Sequence, residues 1–332
     1  MNILIIKWGA LGDLLAATPA INHIKDTYPS ANIIFLTSHV SSLLFPDHSL
    51  VDEIIDYKAL IKMHGYLGAV KALREKNINI VFNLKWGSEL ADVFSLFCKA
   101  DITVGGSVKS YLRFFYNYKP SLKSSYFEVN RHEYQLNLDI VASFINSPKT
   151  FPKAYIHISK QDQNAALKFL AQHKISKPFI IISPAASTLQ KAWKRDNYIQ
   201  LCKQIVQEST YKILASFAPE DFEYVNSIVN EIGEGAFLSP PTTLGQIAAL
   251  VQESSLCICN NSGIMHIAFA VDTPVICFNT SLGWHPFGKN DISLDRIPEE
   301  PQDNRMLDNN TVEALLATIP VEEAFEAFKT LK

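Results

Sequence analysis

Several features that would define a protein class are missing from this 332-residue sequence. Its net charge is −3, which excludes a globally basic nucleic-acid binder. The apolar start is only four residues long before Lys7, far short of a signal sequence or a membrane span. The five cysteines are scattered and form no C-x-x-C pair, as is typical of reduced thiols in a cytoplasmic protein. We therefore expect a cytoplasmic protein that is either soluble or peripherally attached to a membrane.

Two nucleotide-binding signatures are also absent. The turn Gly9-Ala10-Leu11-Gly12 lacks the G-x-G-x-x-G spacing, and no Walker A sequence occurs. These absences argue against nicotinamide and P-loop chemistry.

Apolar runs that are typical of strands alternate with helix-length amphipathic stretches along the whole chain. This alternation predicts an α/β fold with doubly wound parallel sheets. The predicted strands of the first half are residues 2–6, 32–37, 53–57, 80–84 and 102–104. Those of the second half are residues 179–183, 212–217, 236–238, 256–259 and 275–279.

A polar segment with two prolines, residues 146–153, separates the halves and is typical of a linker. The domain prediction is therefore 1–150 and 151–310. A helical tail, 311–332, carries apolar residues at helical spacing and is expected to pack back on the body.

The first strand runs into a glycine-flanked turn that carries a single carboxylate, Asp13. Ligands of open α/β sheets bind beyond the carboxyl ends of the strands, so Asp13 is a candidate for chemistry. Helix capping is the alternative, because Asp is a favoured capping residue. Downstream, Thr18-Pro19 is typical of an N-cap and first helical position, which predicts a helix start there.

A second polar turn follows the predicted strand 256–259. Free N–H groups at a helix start favour anions, and Gly263 permits close approach of a ligand, so this turn suits a diphosphate. His266 lies one turn into the helix. A plain N-cap at Asn261 with a buried histidine is the alternative.

The loop after strand 179–183 carries hydroxyls at Ser187 and Thr188 and three cations, Lys191, Lys194 and Arg195. Such cations can offset the charge of a phosphate. The alternative is a solvated basic loop. Glu220 follows the next strand and could accept hydrogen bonds from ribose hydroxyls.

These landmarks resemble bacterial ADP-heptose–lipopolysaccharide heptosyltransferases, glycosyltransferase family 9. Residues 3–20 resemble the family's first turn, residues 261–275 its D-T-G-x-x-H helix start, and Ser187…Lys191-x-Trp193 its third landmark. The resemblance implies a GT-B fold, two Rossmann-like domains facing a cleft. It also implies inverting transfer of a sugar, here heptose from ADP-heptose, onto a lipopolysaccharide core hydroxyl.

The resemblance further assigns roles to individual residues. It makes Asp13 the general base and Lys191 the group that stabilises the leaving diphosphate. The implied donor-binding residues are Gly12, Ser187, Thr188, Glu220, Asn261, Ser262, Gly263 and His266. No D-x-D pair occurs, so the expected site holds no metal and no cofactor besides the nucleotide sugar. Four places depart from the family pattern: Asn261, Ala185, the pair Ala192 and Lys194, and Asn279.

The acceptor side is expected in loops of the first domain. The acceptor-binding candidates are Lys62, Lys109, Arg113 and Arg131, with Lys58, His64 and Lys85 as secondary ones. Aromatics interleave with these cations between 109 and 134, which suits an anionic glycolipid or oligosaccharide, or contact with the inner membrane. A solvated loop is the alternative. Two other functions stay open, transfer of a different activated sugar and nucleotide-sugar binding without catalysis; no nucleic-acid partner is expected.

Overall fold

The computed structural model describes residues 1–38, 44–46, 49–85, 87–105, 111–120, 131–298 and 307–332. The chain divides into two compact units, Met1–His157 and Ile158–Lys332. Within the described ranges, each unit contains one sheet, and all strand pairs in both sheets are parallel. The prediction of an α/β fold with two parallel sheets is therefore confirmed.

The first unit has the strand order β3-β2-β1-β4-β5. A buried face of this sheet packs Leu4, Ile6 and Val81 against helices α2 and α3. The elements are β1 (Asn2–Ile6), α1 (Leu11–Thr27), β2 (Asn32–Thr37), β3 (Glu53–Asp56), α2 (Tyr57–Arg74, interrupted at Gly65), β4 (Ile80–Asn83), α3 (Glu89–Phe97), β5 (Ile102–Val104) and α4 (Glu133–Ala142).

Helix α1 begins at Leu11, so the predicted start at Thr18-Pro19 is wrong. Pro19 lies inside the helix, where its missing N–H leaves the Leu15 carbonyl without its usual donor. The Thr18 hydroxyl donates to that carbonyl at 2.8 Å instead. The helix thus continues through Pro19 and begins eight residues earlier than predicted, which places Asp13 in its first turn.

The second unit has the strand order β11-β10-β9-β6-β7-β8. Strand β11 was not predicted, because Ile292-Ser293-Leu294-Asp295 is short and lies at the sheet edge. The elements are α5 (Lys160–Gln172), β6 (Phe179–Ser183), α6 (Arg195–Glu208), β7 (Lys212–Ala215), α7 (Phe222–Ile232), β8 (Ala236–Leu238), α8 (Leu244–Glu253), β9 (Leu256–Asn260), α9 (Gly263–Ala270), β10 (Val275–Asn279), β11 (Ile292–Asp295), α10 (Asn309–Leu316) and α11 (Val321–Leu331).

The end of the chain belongs to this second unit. Its two helices, α10 and α11, are separated by a short connection that ends at Pro320. Leu316, Ile319 and Phe328 are buried in the same apolar cluster as Trp193 and Phe278. Across the described residues, no helix combines the length and the apolarity needed to cross a bilayer.

Each sheet has one position where the strand order reverses direction. In the first unit it lies between β1 and β4, and in the second between β6 and β9. Ligands of doubly wound sheets bind beyond the carboxyl ends of the strands at this switch point. The turns after these four strands are therefore the places to look for a site, and they contain Asp13, Lys85, Lys191 and Ser262.

Candidate functional site

Asp13 lies in the first turn of α1, directly beyond the carboxyl end of β1. Its Oδ2 accepts a hydrogen bond from the Ala10 N–H at 3.1 Å. A side chain at Gly9 would overlap the Asp13 carboxylate, so glycine is required for this close approach. Oδ1 accepts no hydrogen bond from the described residues. Asp13 therefore caps the helix with one oxygen and leaves the other available as a base.

A buried ion pair lies next to this turn. Lys7 ends the β1 segment with 1% of its surface exposed, and its Nζ lies 2.6 Å from the Glu133 carboxylate. The same ammonium donates to the Leu84 carbonyl at 3.2 Å. The Lys7 ammonium also donates to the Asn137 side-chain oxygen. The Asn137 amide in turn donates to the Ala16 carbonyl at 3.0 Å, which links this pair to helix α1. The pair thus joins β1, β4, α4 and α1 at the switch point.

Lys85 is the other charged residue at this edge. It follows β4, the strand beside β1, and its side chain is partly buried. Burial lowers the pKa of Lys85, and the nearby Asp13 carboxylate partly opposes that effect. The switch point of the first unit therefore contains two ammonium groups and two carboxylates.

In the second unit, Asn260 fixes the loop that carries Lys191. Its buried Nδ2 donates to the carbonyls of Pro184 and Ala185 at 3.1 and 3.3 Å. Its Oδ1 accepts from the Trp193 N–H at 2.8 Å. Sequence reasoning missed Asn260, although a polar residue at the end of an apolar strand was a usable signal.

Trp193 anchors the far end of the same loop. Its ring is fully buried, stacks on Phe278 with centroids 4.0 Å apart, and donates from Nε1 to the Ile319 carbonyl at 3.0 Å. Lys191 lies just before it in a short 3-10 turn with an exposed side chain. Arg195 is already paired with Glu231 at 2.8 Å. The backbone at Lys191 is thus held in place by its neighbours, while the Lys191 side chain is exposed.

Two buried hydroxyls at this switch point have no hydrogen-bond partner within the described part of the chain. They are Thr188 Oγ1 in the loop after β6 and Ser262 Oγ in the turn after β9. Ser262 is the N-cap residue of α9, yet its side chain makes no capping hydrogen bond. Buried polar groups are almost always satisfied, so two orphans at adjacent strand ends indicate a place for ligand oxygens. Gly263 begins the helix and adds its N-terminal amides.

Asn261 and Asn279, two departures from the family pattern, contact each other. The Asn261 amide donates to Asn279 Oδ1 at 2.8 Å, and the same oxygen accepts from the Ser281 N–H at 3.0 Å. Asn279 in turn donates to Asp295 at 2.6 Å. An aspartate at 261 would place a carboxylate against the Asn279 oxygen, so the two substitutions are compatible as a pair.

His266 is buried on α9, and its ring meets Trp284 edge to face with centroids 5.5 Å apart. Burial lowers its pKa to about 4. The imidazole is therefore neutral at pH 7 and can offer a ring N–H but no positive charge.

The remaining donor-side candidates lie at the same carboxyl edges. Gly12 is in the first turn of α1, and Ser187 is exposed in the loop after β6. Glu220 is exposed in the 3-10 turn after β7.

The acceptor-side candidates differ in exposure and in hydrogen bonding. Lys62 is exposed on α2, and Arg113 donates to the Pro120 carbonyl at 3.2 Å. Arg131 makes a two-pronged ion pair with Asp139 at 2.8 and 2.7 Å, which occupies its guanidinium. Lys109 lies outside the described residues. The aromatics Tyr111, Phe114 and Phe115 are 91%, 80% and 71% exposed.

Within the described ranges, no three His, Cys, Asp or Glu side chains come together in an arrangement that could hold a metal ion.

A family model described as glycosyltransferase family 9 (heptosyltransferase) matches residues 67–302. The chain belongs to this family. The glycosyltransferase is 25% identical over 316 residues to the lipopolysaccharide core heptosyltransferase OpsX of Haemophilus influenzae, an alignment that covers 91% of this chain and 86% of that protein.

Solved structures agree on the fold. A glycosyl transferase family 9 protein from Veillonella parvula has a TM-score of 0.83 at 19% identity, covering 99% of this chain and 96% of that one. The E. coli heptosyltransferase WaaC, solved with ADP-2-deoxy-2-fluoro heptose, has a TM-score of 0.71 at 16% identity and covers 100% of both chains. The two Rossmann-like units of the glycosyltransferase therefore form the GT-B fold, and the predicted fold and family are confirmed.

Proposed function

We propose that this glycosyltransferase transfers heptose from ADP-heptose to a hydroxyl of a lipopolysaccharide core acceptor, with inversion at the anomeric carbon. The names of its relatives support the chemistry: one acts on the lipopolysaccharide core, and another binds a fluorinated ADP-heptose. The first unit would bind the acceptor and the second unit the nucleotide sugar.

Asp13 is the general base of the proposal, and its geometry carries the argument. The acceptor hydroxyl gives its proton to the free Oδ1 as its oxygen forms a bond to the anomeric carbon. The bond from that carbon to the diphosphate breaks on the opposite face, and ADP leaves with the electron pair. Attack and departure on opposite faces invert the configuration.

The donor site uses neutral groups and one lysine. Thr188 and Ser262 would bond diphosphate oxygens with their unpartnered hydroxyls, together with the α9 amides. Lys191 would offset the charge that develops on the departing ADP. Gly12, Gly263, Ser187, Asn261 and His266 would contact the donor, and Glu220 would accept from its ribose. We propose that these groups hold the diphosphate without a metal ion.

The acceptor would bind to cations and exposed aromatics of the first unit. Arg113 and Lys62, with the exposed aromatics of the 3-10 helix Tyr111–Phe115, would face an anionic glycolipid or oligosaccharide. Such a surface also suits peripheral contact with the cytoplasmic face of the inner membrane.

The test is a donor panel of ADP-heptose, UDP-sugars and GDP-sugars with a deacylated core oligosaccharide as acceptor. We expect transfer from ADP-heptose alone, an inverted anomeric signal in the NMR spectrum of the product, and the same rate in EDTA. Transfer from another nucleotide sugar would replace the donor assignment, and retention of configuration would contradict the mechanism. Binding without transfer would indicate a non-catalytic nucleotide-sugar protein, and a rate lost in EDTA would contradict the metal-free site.

A further inference from the structure

Lys85 occupies the switch point of the first unit, opposite the turn that carries Asp13. It follows β4, which pairs with β1 so that Asn83 lies beside Ile6. The Leu84 N–H donates to the Ile6 carbonyl at 3.0 Å, which continues this pairing up to Lys85. The backbone of Lys85 thus lies next to the β1–α1 turn.

A buried polar network holds that backbone in place. The Lys85 N–H donates to Asn83 Oδ1 at 3.0 Å. The Asn83 amide donates to the Tyr116 hydroxyl at 2.8 Å and to Asp92 at 3.1 Å, and Tyr116 also donates to Asp92 at 2.8 Å. These three side chains are almost fully buried. The position of Lys85 is therefore fixed from within the core.

The ammonium of Lys85, in contrast, has no partner among the residues that the structure describes. No described residue accepts a hydrogen bond from its Nζ or forms an ion pair with it, whereas the neighbouring Lys7 is paired with Glu133 at 2.6 Å. Its charge is close enough to Asp13 for the two to interact, yet they are not in contact. Partial burial without a partner is unfavourable for a cation, as its lowered pKa shows.

Three of the four charged side chains at this edge already have partners. Glu133 compensates Lys7, and Asp13 is anchored to the Ala10 N–H and packed on Gly9. One cation is left beside the proposed base, and no described residue pairs with it. An anionic group carried by the molecule that Asp13 deprotonates would pair with this ammonium.

We propose that Lys85 binds an anionic group, a carboxylate or a phosphate, that the acceptor carries beside its reacting hydroxyl. This inference rests on the proposed transfer to an anionic acceptor. Lys85 then determines which acceptors enter the site, because an acceptor without that anion leaves the ammonium unpaired.

The test compares Lys85→Gln and Lys85→Arg with a control, Lys168→Gln, which removes an exposed lysine on α5. Three acceptors are used: the deacylated core oligosaccharide, the same compound with its carboxylates methyl-esterified, and the same compound with its phosphates removed. Steady-state constants are measured for each, with acceptor binding by calorimetry in the absence of donor. Urea unfolding verifies that each variant is folded.

We expect Lys85→Gln to raise the KM for the unmodified acceptor by roughly 10- to 100-fold, the scale of one hydrogen bond to a charged group. The KM for ADP-heptose and kcat should change less than twofold, and Lys85→Arg should restore part of the loss. On the acceptor that lacks the recognised anion, the wild type and Lys85→Gln should be equal. That acceptor identifies whether the anion is a carboxylate or a phosphate.

Two results would overturn the inference while leaving the proposed function intact. One is an unchanged acceptor KM in Lys85→Gln. The other is a fall in kcat that is equal for all three acceptors, which would assign Lys85 to the reacting atoms rather than to an acceptor anion. If the wild type transfers no sugar, the proposed function fails, and calorimetry still tests Lys85: equal acceptor affinities of wild type and Lys85→Gln, or no acceptor binding at all, would overturn the inference as well.

Discussion

The two switch points of this glycosyltransferase are built from different chemistry. That of the first unit gathers four ionisable side chains, Lys7, Asp13, Lys85 and Glu133. That of the second unit is formed mainly by neutral groups, which are the amides of Asn260 and Asn261, the hydroxyls of Thr188 and Ser262, and the neutral ring of His266.

This difference matches two tasks. Proton transfer requires a group that changes charge, and such a group needs compensating charges around it when it is partly buried. Binding a diphosphate requires many donors, and neutral donors avoid the cost of burying several cations without partners. The comparison therefore supports our proposal that the first unit performs the proton transfer and the second unit binds the donor.

The largest expected effect on stability is at the buried ion pair. Lys7→Met should reduce the free energy of unfolding by about 3–5 kcal/mol, because it removes one partner of a buried ion pair. Lys76→Met, which breaks a pair with Glu53 of the same 2.6 Å length, should cost only about 0–1 kcal/mol, since those side chains are 32% and 39% exposed. Urea denaturation measures both. Equal losses would mean that the buried Lys7–Glu133 pair contributes no more to stability than the exposed Lys76–Glu53 pair.

The neutral histidine predicts a dependence of stability on pH. His266 has a pKa of about 4 when folded and about 6.5 when unfolded, so between these values the unfolded chain binds a proton that the folded chain does not. The free energy of unfolding should therefore fall as the pH drops from 6.5 to 4, by up to about 3 kcal/mol. His266→Gln should lack this contribution, and His64→Gln, which changes an exposed ring, should retain it. Matching pH profiles for the wild type and His266→Gln would mean that burial does not lower the pKa of this ring.

The asparagine pair tests whether the two family departures depend on each other. Asn261→Asp should reduce the free energy of unfolding by about 1–3 kcal/mol, because a carboxylate would face the Asn279 oxygen. In the double variant with Asn279→Gly the loss should be smaller than the sum of the single losses by about 1 kcal/mol. Additive losses in urea would contradict the coupling.

The orphan hydroxyls give the smallest effect and a distinctive one. Thr188→Ala and Ser262→Ala should each weaken ADP binding by about 3- to 10-fold, measured by calorimetry, without lowering stability, because neither hydroxyl has a hydrogen-bond partner among the described residues. Ser227→Ala is the control, because the Ser227 hydroxyl lies away from the switch point and has a partner. It donates to the Tyr224 carbonyl at 2.7 Å. This variant should lose stability and keep its ADP affinity. Unchanged ADP affinity in both site variants would remove these hydroxyls from the donor site.

Most of the sheet framework could be predicted from the sequence. Apolar runs such as Ile3-Leu4-Ile5-Ile6 are too continuous to be anything but buried parallel strands, and ten of them were placed within two residues at each end. The exceptions have local causes. Strand β11 carries Ser293 and Asp295 at an edge, and the start of α1 depended on a hydroxyl that takes the place of the Pro19 N–H.

The candidate site could be predicted only in part. Asp13, Lys191 and Ser262 follow apolar strands, so their place at the carboxyl edges was evident from the sequence. Lys85 could be named only as a secondary acceptor candidate, because its place beside the β1–α1 turn depends on the pairing of β4 with β1. The contacts of Asn260 could not be predicted, because they join segments that are far apart in the chain. The same holds for the pairing of Asn261 with Asn279, which are 18 residues apart.

The most direct test of the central claim is the effect of Asp13→Asn on heptose transfer and on donor affinity, measured on the same protein. The asparagine oxygen can still accept from the Ala10 N–H, so the turn is preserved while the base is lost. We predict that kcat falls by about 10²- to 10⁴-fold with an unchanged Kd for ADP-heptose, whereas Asp26→Asn, at an exposed position of the same helix, behaves as the wild type. Transfer by Asp13→Asn at the wild-type rate would contradict the division of tasks between the two units.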